Sequence, residues 1–274
     1  MTDVPAPSVF EPSQLPEVVL AGVRLHAITE AECVAHVVES LEVNRGGWIA
    51  TANLDHVRRL RRAEEFRRAY AGASVVVADG MPLIWASRLQ GSPLPERVAG
   101  SDLIHSLTAG AAAGGRSVFF LGGDPGSADA AAARLVKDHP ELRVAGTYCP
   151  PMGFEKDPAQ MEELRRAVQE NSPDIVFVAL GSPKQELLIY EIRALLPQAW
   201  WIGVGISFSF VCGAVRRAPK WVQGMGLEWF HRLLQEPRRL ATRYLLHGPP
   251  CLLWLLFNAL RGRLTNRRRR DAML

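Results

Sequence analysis

The sequence VVVADGMPLIWASRLQGSPLPERVAG, residues 75–100, joins an apolar strand to a helix through one acidic residue. The four apolar residues 75–78 are typical of a short strand that is covered on both faces. Asp79 follows the strand, and Pro82 suits the first turn of a helix. Arg97 lies in the loop that comes next. This order of elements predicts a carboxylate at the carboxyl end of a core strand.

Asp79 allows two interpretations from its spacing alone. A carboxylate at the exit of a buried strand is partly desolvated, which raises its pKa and suits it to act as a general base. The order Asp79-Gly80-x-Pro82 is also typical of an aspartate that caps the following helix. We favour the general base, because ligands of parallel sheets bind beyond the carboxyl ends of the strands.

The same alternation of strand and helix extends along most of the chain. Further strands are predicted at 48–51, 117–121, 142–148, 174–180 and 200–204, and further helices at 30–43, 54–70, 127–137, 157–170 and 184–195. Strands that alternate with helices form a parallel sheet covered on both faces. The sequence therefore predicts an α/β fold, preceded by a flexible arm at residues 1–17.

Glycines and polar residues gather at the predicted strand ends. They are Thr51, Asn53, Gly122, Gly123, Gly181, Ser182 and Gly205, together with Lys184, Gln185 and Glu186 on the first turn of a helix. Because the carboxyl ends of parallel strands meet at one edge of a sheet, we expect these residues to converge with Asp79 on one crevice. Ordinary tight turns and a well-capped helix would explain the same glycines and serine without a ligand.

Composition excludes several classes of protein. The chain of 274 residues is 48% apolar and 22% charged, as globular proteins are. The four cysteines are scattered and the seven histidines show no ligand spacing, so neither a disulfide framework nor a metal site is predicted. The glycines near residue 205 lack the third glycine of a dinucleotide fingerprint, which disfavours a nicotinamide enzyme. No secretory leader is recognisable at residues 1–16, which favours a reduced, cytosolic setting.

Positive charge is concentrated in the last fifth of the chain. Residues 214–274 contain 13 Lys and Arg against 3 Asp and Glu, a balance of +10, whereas the whole chain has +4. A segment of that sign favours an anionic partner such as lipid head groups, a diphosphate or nucleic acid. The lack of aromatic residues interleaved with basic ones elsewhere argues against nucleic acid.

The basic segment is predicted to be helical. A helix with an apolar stripe covers residues 227–234, and Pro237 begins a second helix that Gly248-Pro249 would end. Arg239 and Arg243 are four residues apart and would share a face. Such a pair suits a diphosphate, although spacing alone favours a solvated basic surface.

A short apolar stretch, residues 251–260, follows these helices and precedes a run of arginines. It is too short to span a bilayer, which requires about 20 apolar residues. Trp254 and Phe257 beside a basic flank suit a helix that lies in the interface of an anionic membrane. A contact between identical subunits is the competing interpretation.

Together these motifs resemble those of the WecG/TagA/CpsF family of bacterial glycosyltransferases (glycosyltransferase family 26). The matching segments are TAN (51–53), ADG (78–80), ERVAGSD (96–102), GG (122–123), GTY (146–148), PP (150–151), GSPKQE (181–186), GVG (203–205), RAP (217–219), GLEW (226–229) and QEPRR (235–239). Many members have an acidic residue near Ser209, so a role for an acid there is not carried over to this chain.

The resemblance implies a Rossmann-like, mostly parallel sheet with helices on both faces, plus a helical, basic C-terminal appendage. It covers about residues 20–247 and implies a catalytic domain at 18–215 followed by an appendage at 216–248 that completes the active site. The stretch beyond residue 248 lies outside the core pattern of the family, and its own composition predicts an amphipathic, basic, membrane-binding tail at 249–274.

The same resemblance implies the reaction: an inverting, metal-independent transfer, without a cofactor, of a sugar from a UDP-sugar to a polyprenyl-diphosphate-linked glycan. It assigns the general base to Asp79, with Thr51 and Arg97 as further catalytic residues. The donor diphosphate would be held among Arg232, Arg238, Arg239 and Arg243. The enzyme would lie peripherally on the cytoplasmic face of the inner membrane. The alternative is a membrane-associated protein that binds a sugar nucleotide without catalysis.

Overall fold

A computed structural model of the chain describes residues 15–271. The side chains of Arg239, Arg243 and residues 265–271 lie outside the described part. The flexible arm predicted at residues 1–17 therefore falls almost wholly outside the described residues.

The centre of the fold is a six-stranded parallel sheet. Its strands are β3 (Gly47–Ala52), β4 (Val75–Ala78), β5 (Ser117–Gly122), β6 (Arg143–Tyr148), β7 (Ile175–Ala179) and β8 (Trp200–Gly203). They lie side by side in the order β4-β3-β8-β7-β5-β6, and every neighbouring pair is parallel. The predicted Rossmann-like α/β fold is confirmed.

Helices cover both faces of this sheet. They are α1 (Glu30–Glu42), α2 (Leu54–Arg62), α3 (Glu64–Ala71), α4 (Met81–Gln90), α5 (Gly100–Ala113), α6 (Ser127–Asp138), α7 (Pro158–Asn171), α8 (Lys184–Ile192) and α9 (Ser207–Val211). Successive residues of a strand point to opposite faces, so Trp201 packs in one apolar layer and Ile202 in the other. Both layers are fully buried, which is why the core strands read as unbroken apolar runs.

Three local features differ from the sequence prediction. An antiparallel hairpin, β1 (Glu17–Leu20) with β2 (Val23–His26), precedes the sheet. It is joined to β4 by His26, whose Nδ1 accepts a hydrogen bond from the N–H of Val76 at 2.9 Å. The helix predicted at 54–70 is two helices, because Ala63 has extended backbone angles. Helix α5 was not predicted, since no side chain caps its first turn.

The C-terminal helices fold back over the carboxyl edge of the sheet. They are α10 (Lys220–Gly224), α11 (Glu228–Gln235), α12 (Pro237–Ala241), a π-helical turn (Thr242–His247) and α13 (Gly248–Asp271). The prediction that Gly248-Pro249 ends the second helix is wrong, because the helical residues run without a break from α12 through the π-helical turn into α13. Proline is tolerated in a first helical turn, whose N–H groups have no acceptor within the helix.

Helix α13 has one packed side and one open side. Cys251, Leu255 and Ala259 recur every four residues and are buried against α4 and α2. The guanidinium of Arg61, on α2, lies 3.6 Å above the ring of Trp254, and this cation–π contact also stabilises the packing of α13 against α2. On the open side, Leu253, Phe257, Leu260 and Leu264 are exposed. None of the helices within residues 15–271 combines the length and apolarity that a membrane span requires.

Candidate active site

A crevice of about 540 Å³ lies between the carboxyl ends of the strands and the C-terminal helices. Its floor is built from the ends of β3, β4, β7 and β8, and its outer wall from α4 and the helices after residue 220. Of the predicted site residues, those that line it are Thr51, Asn53, Asp79, Arg97, Gly181, Ser182, Gln185, Gly205 and Arg232. Residues far apart in sequence therefore do converge at one edge of the sheet.

Asp79 follows β4 directly and opens into the crevice. Burial is the largest influence on its carboxyl and raises the pKa from an ordinary 3.8 to about 6, although Arg97 pulls it down. The capping interpretation is wrong, because Gly80 holds the N-cap position of α4 and no side chain caps that helix. Gly80 has φ 146°, a backbone conformation suited to glycine, and it turns the chain sharply after the acid.

Arg97 is held among three carboxylates. Its Nη1 lies 3.6 Å from Oδ1 of Asp79 and 3.4 Å from Oε2 of Glu228, while its Nη2 lies 3.0 Å from Oδ2 of Asp102. Arg217 also binds Asp102, through Nη2 at 2.9 Å. Burial raises the pKa of Asp102, but the hydrogen bonds and charge of Arg217 and the charge of Arg97 outweigh it and hold that pKa below its usual value.

Thr51 is the last residue but one of β3, beneath the crevice, and is buried. The N-terminus of α5 packs closely against Thr51. A Cβ at Gly100, the first residue of α5, would lie 3.6 Å from Thr51 Oγ1 and 3.0 Å from the carbonyl oxygen of Gly203. Asn53 caps α2, and its Oδ1 accepts from the N–H groups of Asp55 and His56. Both predicted residues thus shape the floor of the crevice.

Gln185 ties two strand ends together. Its Oε1 accepts hydrogen bonds from the N–H groups of Gly181 and Gly205, both at 3.1 Å. Its Nε2 donates to Oε1 of Glu186 at 2.8 Å. A Cβ on Gly203 would lie 2.4 Å from that Nε2, so only glycine fits there. The side chain fixes the loops after β7 and β8 in one arrangement.

The remaining predicted residues lie away from the crevice. Glu186 is buried and faces His56, with Nε2 to Oε1 at 3.5 Å. Lys184 is half exposed and pairs with Glu155 at 2.7 Å. Gly122 and Gly123 have positive φ, and a Cβ on Gly123 would lie 2.3 Å from Oγ of Ser127, so the tight-turn interpretation accounts for them.

The appendage arginines divide into three groups. Arg232 lines the crevice, with its guanidinium 5.9 Å above the ring of Phe210. Arg238 is exposed and does not line it. The side chains of Arg239 and Arg243 lie outside the described residues. Contact of these four arginines with a diphosphate stays a prediction.

Several crevice residues were not predicted from the sequence. Glu228 brings charge from the C-terminal part of the chain, and His56 and Arg58 bring it from α2. Arg217 does not line the crevice itself but pairs with Glu228, with Nε 3.3 Å from Oε1. His56 could have been predicted as a crevice residue, because it lies three residues after the predicted Asn53. Apolar side chains form the outer part of the wall: Met81, Trp85, Leu227, Trp229, Leu240, Tyr244 and Leu252.

Comparison with known proteins gives consistent matches over most of the chain. The model of the glycosyl transferase WecG/TagA/CpsF family matches residues 18–266. A protein of Bacillus spizizenii is 36% identical over 199 residues, which are 73% of this chain and 75% of that protein. One of Bacillus subtilis is 31% identical over 195 residues, 71% of this chain and 73% of that protein. Both are named N-acetylglucosaminyldiphosphoundecaprenol N-acetyl-beta-D-mannosaminyltransferase.

Proposed function

The chain belongs to the WecG/TagA/CpsF family of glycosyl transferases, and from that premise we propose that it moves a sugar from a UDP-sugar onto a polyprenyl-diphosphate-linked glycan. The reaction would serve the assembly of a cell-surface or extracellular polysaccharide. The observation that carries the proposal is the position of Asp79, a carboxylate of raised pKa at the floor of a crevice that basic helices close.

The relatives support an acceptor of this class. Their name states that they act on N-acetylglucosaminyldiphosphoundecaprenol and transfer N-acetylmannosamine. The apolar outer wall of the crevice, with Trp85, Trp229 and Leu252, would suit the isoprene units next to the acceptor diphosphate. We therefore propose a UDP-N-acetylhexosamine as donor and an N-acetylglucosaminyl-diphosphate lipid as acceptor.

Asp79 would act as the general base. It takes the proton of an acceptor hydroxyl while the hydroxyl oxygen attacks the anomeric carbon of the donor. The bond from that carbon to the UDP oxygen breaks as the new bond forms, so the configuration inverts. A carboxyl with a pKa of about 6 is mostly ionised at neutral pH and is more basic than an ordinary aspartate.

The leaving UDP gains negative charge as its bond to the sugar breaks. Arg232 faces the crevice, and Arg97 lies beside the base, so both could stabilise this charge. We propose that these cationic side chains take the place of a metal ion. Closing the C-terminal helices over the donor would also exclude water and limit hydrolysis.

The open side of α13 supports a peripheral position at the membrane. Leu253, Phe257 and Leu264 are exposed there, and Arg261 and Arg263 are exposed on the same helix. An apolar surface with basic residues favours the interface of an anionic bilayer. We propose that the enzyme docks in this way on the cytoplasmic face of the inner membrane, where the acceptor diphosphate would lie at the level of the head groups.

The test is a UDP-release assay with purified protein, a panel of UDP-sugars and a synthetic N-acetylglucosaminyl-diphosphate lipid. We expect release of UDP that depends on both substrates and that Asp79→Asn nearly abolishes. Binding of UDP-sugars without turnover across the whole panel would contradict the proposal and support the alternative, a non-catalytic sugar-nucleotide-binding protein.

A further inference from the structure

Glu228 brings a carboxylate from the C-terminal helices into the ion pairs around Asp79. It is the first residue of α11. Nη1 of Arg97 donates a hydrogen bond to Oε2 of Glu228 at 3.4 Å, and the same nitrogen lies 3.6 Å from Oδ1 of Asp79. The two carboxylates therefore share one guanidinium nitrogen.

Arg217 fixes the other oxygen of Glu228. Its Nε donates to Oε1 of Glu228 at 3.3 Å, and its Nη2 donates to Oδ2 of Asp102 at 2.9 Å. Nη2 of Arg97 donates to the same Asp102 oxygen at 3.0 Å. These four side chains form a closed ring of ion pairs, and Asp79 meets the ring at Nη1 of Arg97.

The turn before Glu228 is seated on the helix that follows Asp79. Gly226 has φ 74°, and a Cβ there would lie 2.8 Å from Cγ of Met81 and 3.0 Å from Cζ2 of Trp85. Both of these residues belong to α4. Glu228 therefore reaches Arg97 through a turn whose fit against α4 leaves no room for a side chain.

We propose that Glu228 is a positioning residue that makes Asp79 a stronger base when the C-terminal helices lie against the crevice. The proposal rests on the transfer reaction proposed above. With Glu228 in place, Arg97 neutralises Asp79 only in part, and a carboxylate with a weaker cationic partner holds a proton more firmly. Without Glu228, Nη1 of Arg97 has Asp79 as its one carboxylate partner while Nη2 still binds Asp102, so more of the positive charge acts on Asp79 and the base becomes weaker.

The charges that face Asp79 agree with this role. After burial, which is the main cause of its raised pKa, Arg97 lowers that pKa, Glu228 and Asp102 raise it, and Arg217 lowers it. Tyr70 of α3 is also near, but burial raises its pKa well above the usual value, so it stays neutral. The other ionisable residues that line the same crevice are Asp55, His56, Arg58, Arg232, Tyr244 and His247.

The direct test is the titration of Asp79 in the full chain without substrate. Protein labelled with carbon-13 aspartate would be followed by infrared difference spectroscopy, with Asp79→Asn identifying the band. Glu228→Gln keeps the size of the side chain and removes its charge, so we expect the band to titrate about 0.5–1 pH unit lower. In Glu228→Asp, which keeps the charge, the band should titrate at a pH between those of the parent and Glu228→Gln. Glu162→Gln, on the exposed face of α7, is the matched control and should change nothing.

Activity gives the second readout. The acid limb of kcat/KM should move to lower pH in Glu228→Gln by the same amount as the band. An unchanged titration in folded Glu228→Gln would overturn the proposal, even if activity fell, because Glu228 would then serve only to hold the helices. If Glu228→Gln does not fold, the titration of Asp79 is measured in Gly226→Ala instead. The Cβ of that variant would displace the turn from Met81 and move Glu228 away from Arg97. A shift to lower pH supports the proposal, and no shift overturns it. Absence of transfer with every donor would refute the proposed function but leave the infrared titration readable.

Discussion

Nη1 of Arg97 lies 3.6 Å from Oδ1 of Asp79, within the range of an ion pair but beyond that of a hydrogen bond. The pair orients the carboxylate without fully neutralising it, and one side of Asp79 remains open to the crevice. This arrangement suits a group that must accept a proton from a substrate rather than serve as a structural anchor.

Replacing Asp79 by asparagine should lower turnover by about 10²–10⁴-fold, because the amide cannot accept the proton of the acceptor hydroxyl. Donor binding, measured by calorimetry with a UDP-sugar, should change little, since the two side chains have nearly the same shape. Asp138→Asn, at the exposed end of α6, is the control and should keep full turnover. Near-normal turnover of folded Asp79→Asn would exclude the role of base.

The pH dependence of the reaction should report the raised pKa of Asp79. The base works only when ionised, so kcat/KM should fall about tenfold for each pH unit below about 6. A carboxylate in water would place this limb near its ordinary pKa of 3.8. Initial rates from pH 4.5 to 8, with a check that the protein stays folded, would decide between the two positions.

The free energy of unfolding should also depend on Asp79. Ionised Asp79 should destabilise the folded chain, whereas most ionised acids in proteins stabilise it. Its folded pKa of about 6 is above the ordinary 3.8, so the unfavourable burial of the charge is present above pH 6 and disappears as the pH falls to 3.8. Asp79→Asn should therefore be more stable than the parent by about 1–3 kcal/mol at pH 8. Urea unfolding at several pH values should show this difference shrinking towards pH 4. A constant difference would argue against a raised pKa.

The positions of the core strands along the chain can be predicted because each is a short apolar run: VVVA, SVFFLG, IVFVA and WWIG. Burial on both faces leaves no room for polar residues in such strands. The hairpin β1–β2 has no comparable run, since Glu17 and Arg24 interrupt it. Helix α5 is hard to predict because it contains Gly110, and glycine disfavours a helix. The structure places glycine there because a Cβ would approach Val34 to 3.0 Å.

The candidate site is predictable only where local pattern decides it. Thr51 lies at the carboxyl end of β3, and Asp79 and Gly181 follow β4 and β7, so all three must reach the same edge of the sheet. The pairing of Arg217 with Asp102 joins residues 115 positions apart and depends on how the C-terminal helices fold back over the crevice. No local pattern encodes such a contact. The hydrogen bond from Gly205 to Gln185 spans only 20 positions, but it too depends on how the loops after β7 and β8 meet.

The appendage offers a matched pair of arginines for the donor diphosphate. Arg232 lines the crevice, whereas Arg238 is exposed outside it. Arg232→Ala should weaken use of the UDP-sugar by about tenfold or more while leaving the affinity for uridine unchanged, because only the diphosphate needs the cation. Arg238→Ala should have little effect on either. Arg232→Lys should restore only part of the loss, since a point charge cannot bind two oxygens as a guanidinium does. Equal losses for UDP-sugar and uridine would show that Arg232 does not contact the diphosphate.

The open side of α13 should determine binding to anionic lipid. Deleting the helix would be a poor test, because Cys251, Leu255 and Ala259 cover α4 and α2, and their removal would expose apolar surface. The double variant Leu253→Gln and Phe257→Gln changes exposed positions and should leave the fold intact.

We expect this variant to bind liposomes of phosphatidylglycerol and phosphatidylcholine at least about tenfold more weakly than the parent, because it loses apolar area worth about 25 cal/mol per Å². Binding of the parent should rise with the fraction of anionic lipid and fall with salt, since each Arg near such a surface contributes about 1 kcal/mol. Val43→Gln with Met152→Gln, two exposed apolar positions elsewhere, is the control and should bind like the parent. Equal binding of all three proteins would contradict docking through α13. If the parent instead sediments as a dimer and the α13 variant as a monomer, the open side is a contact between subunits.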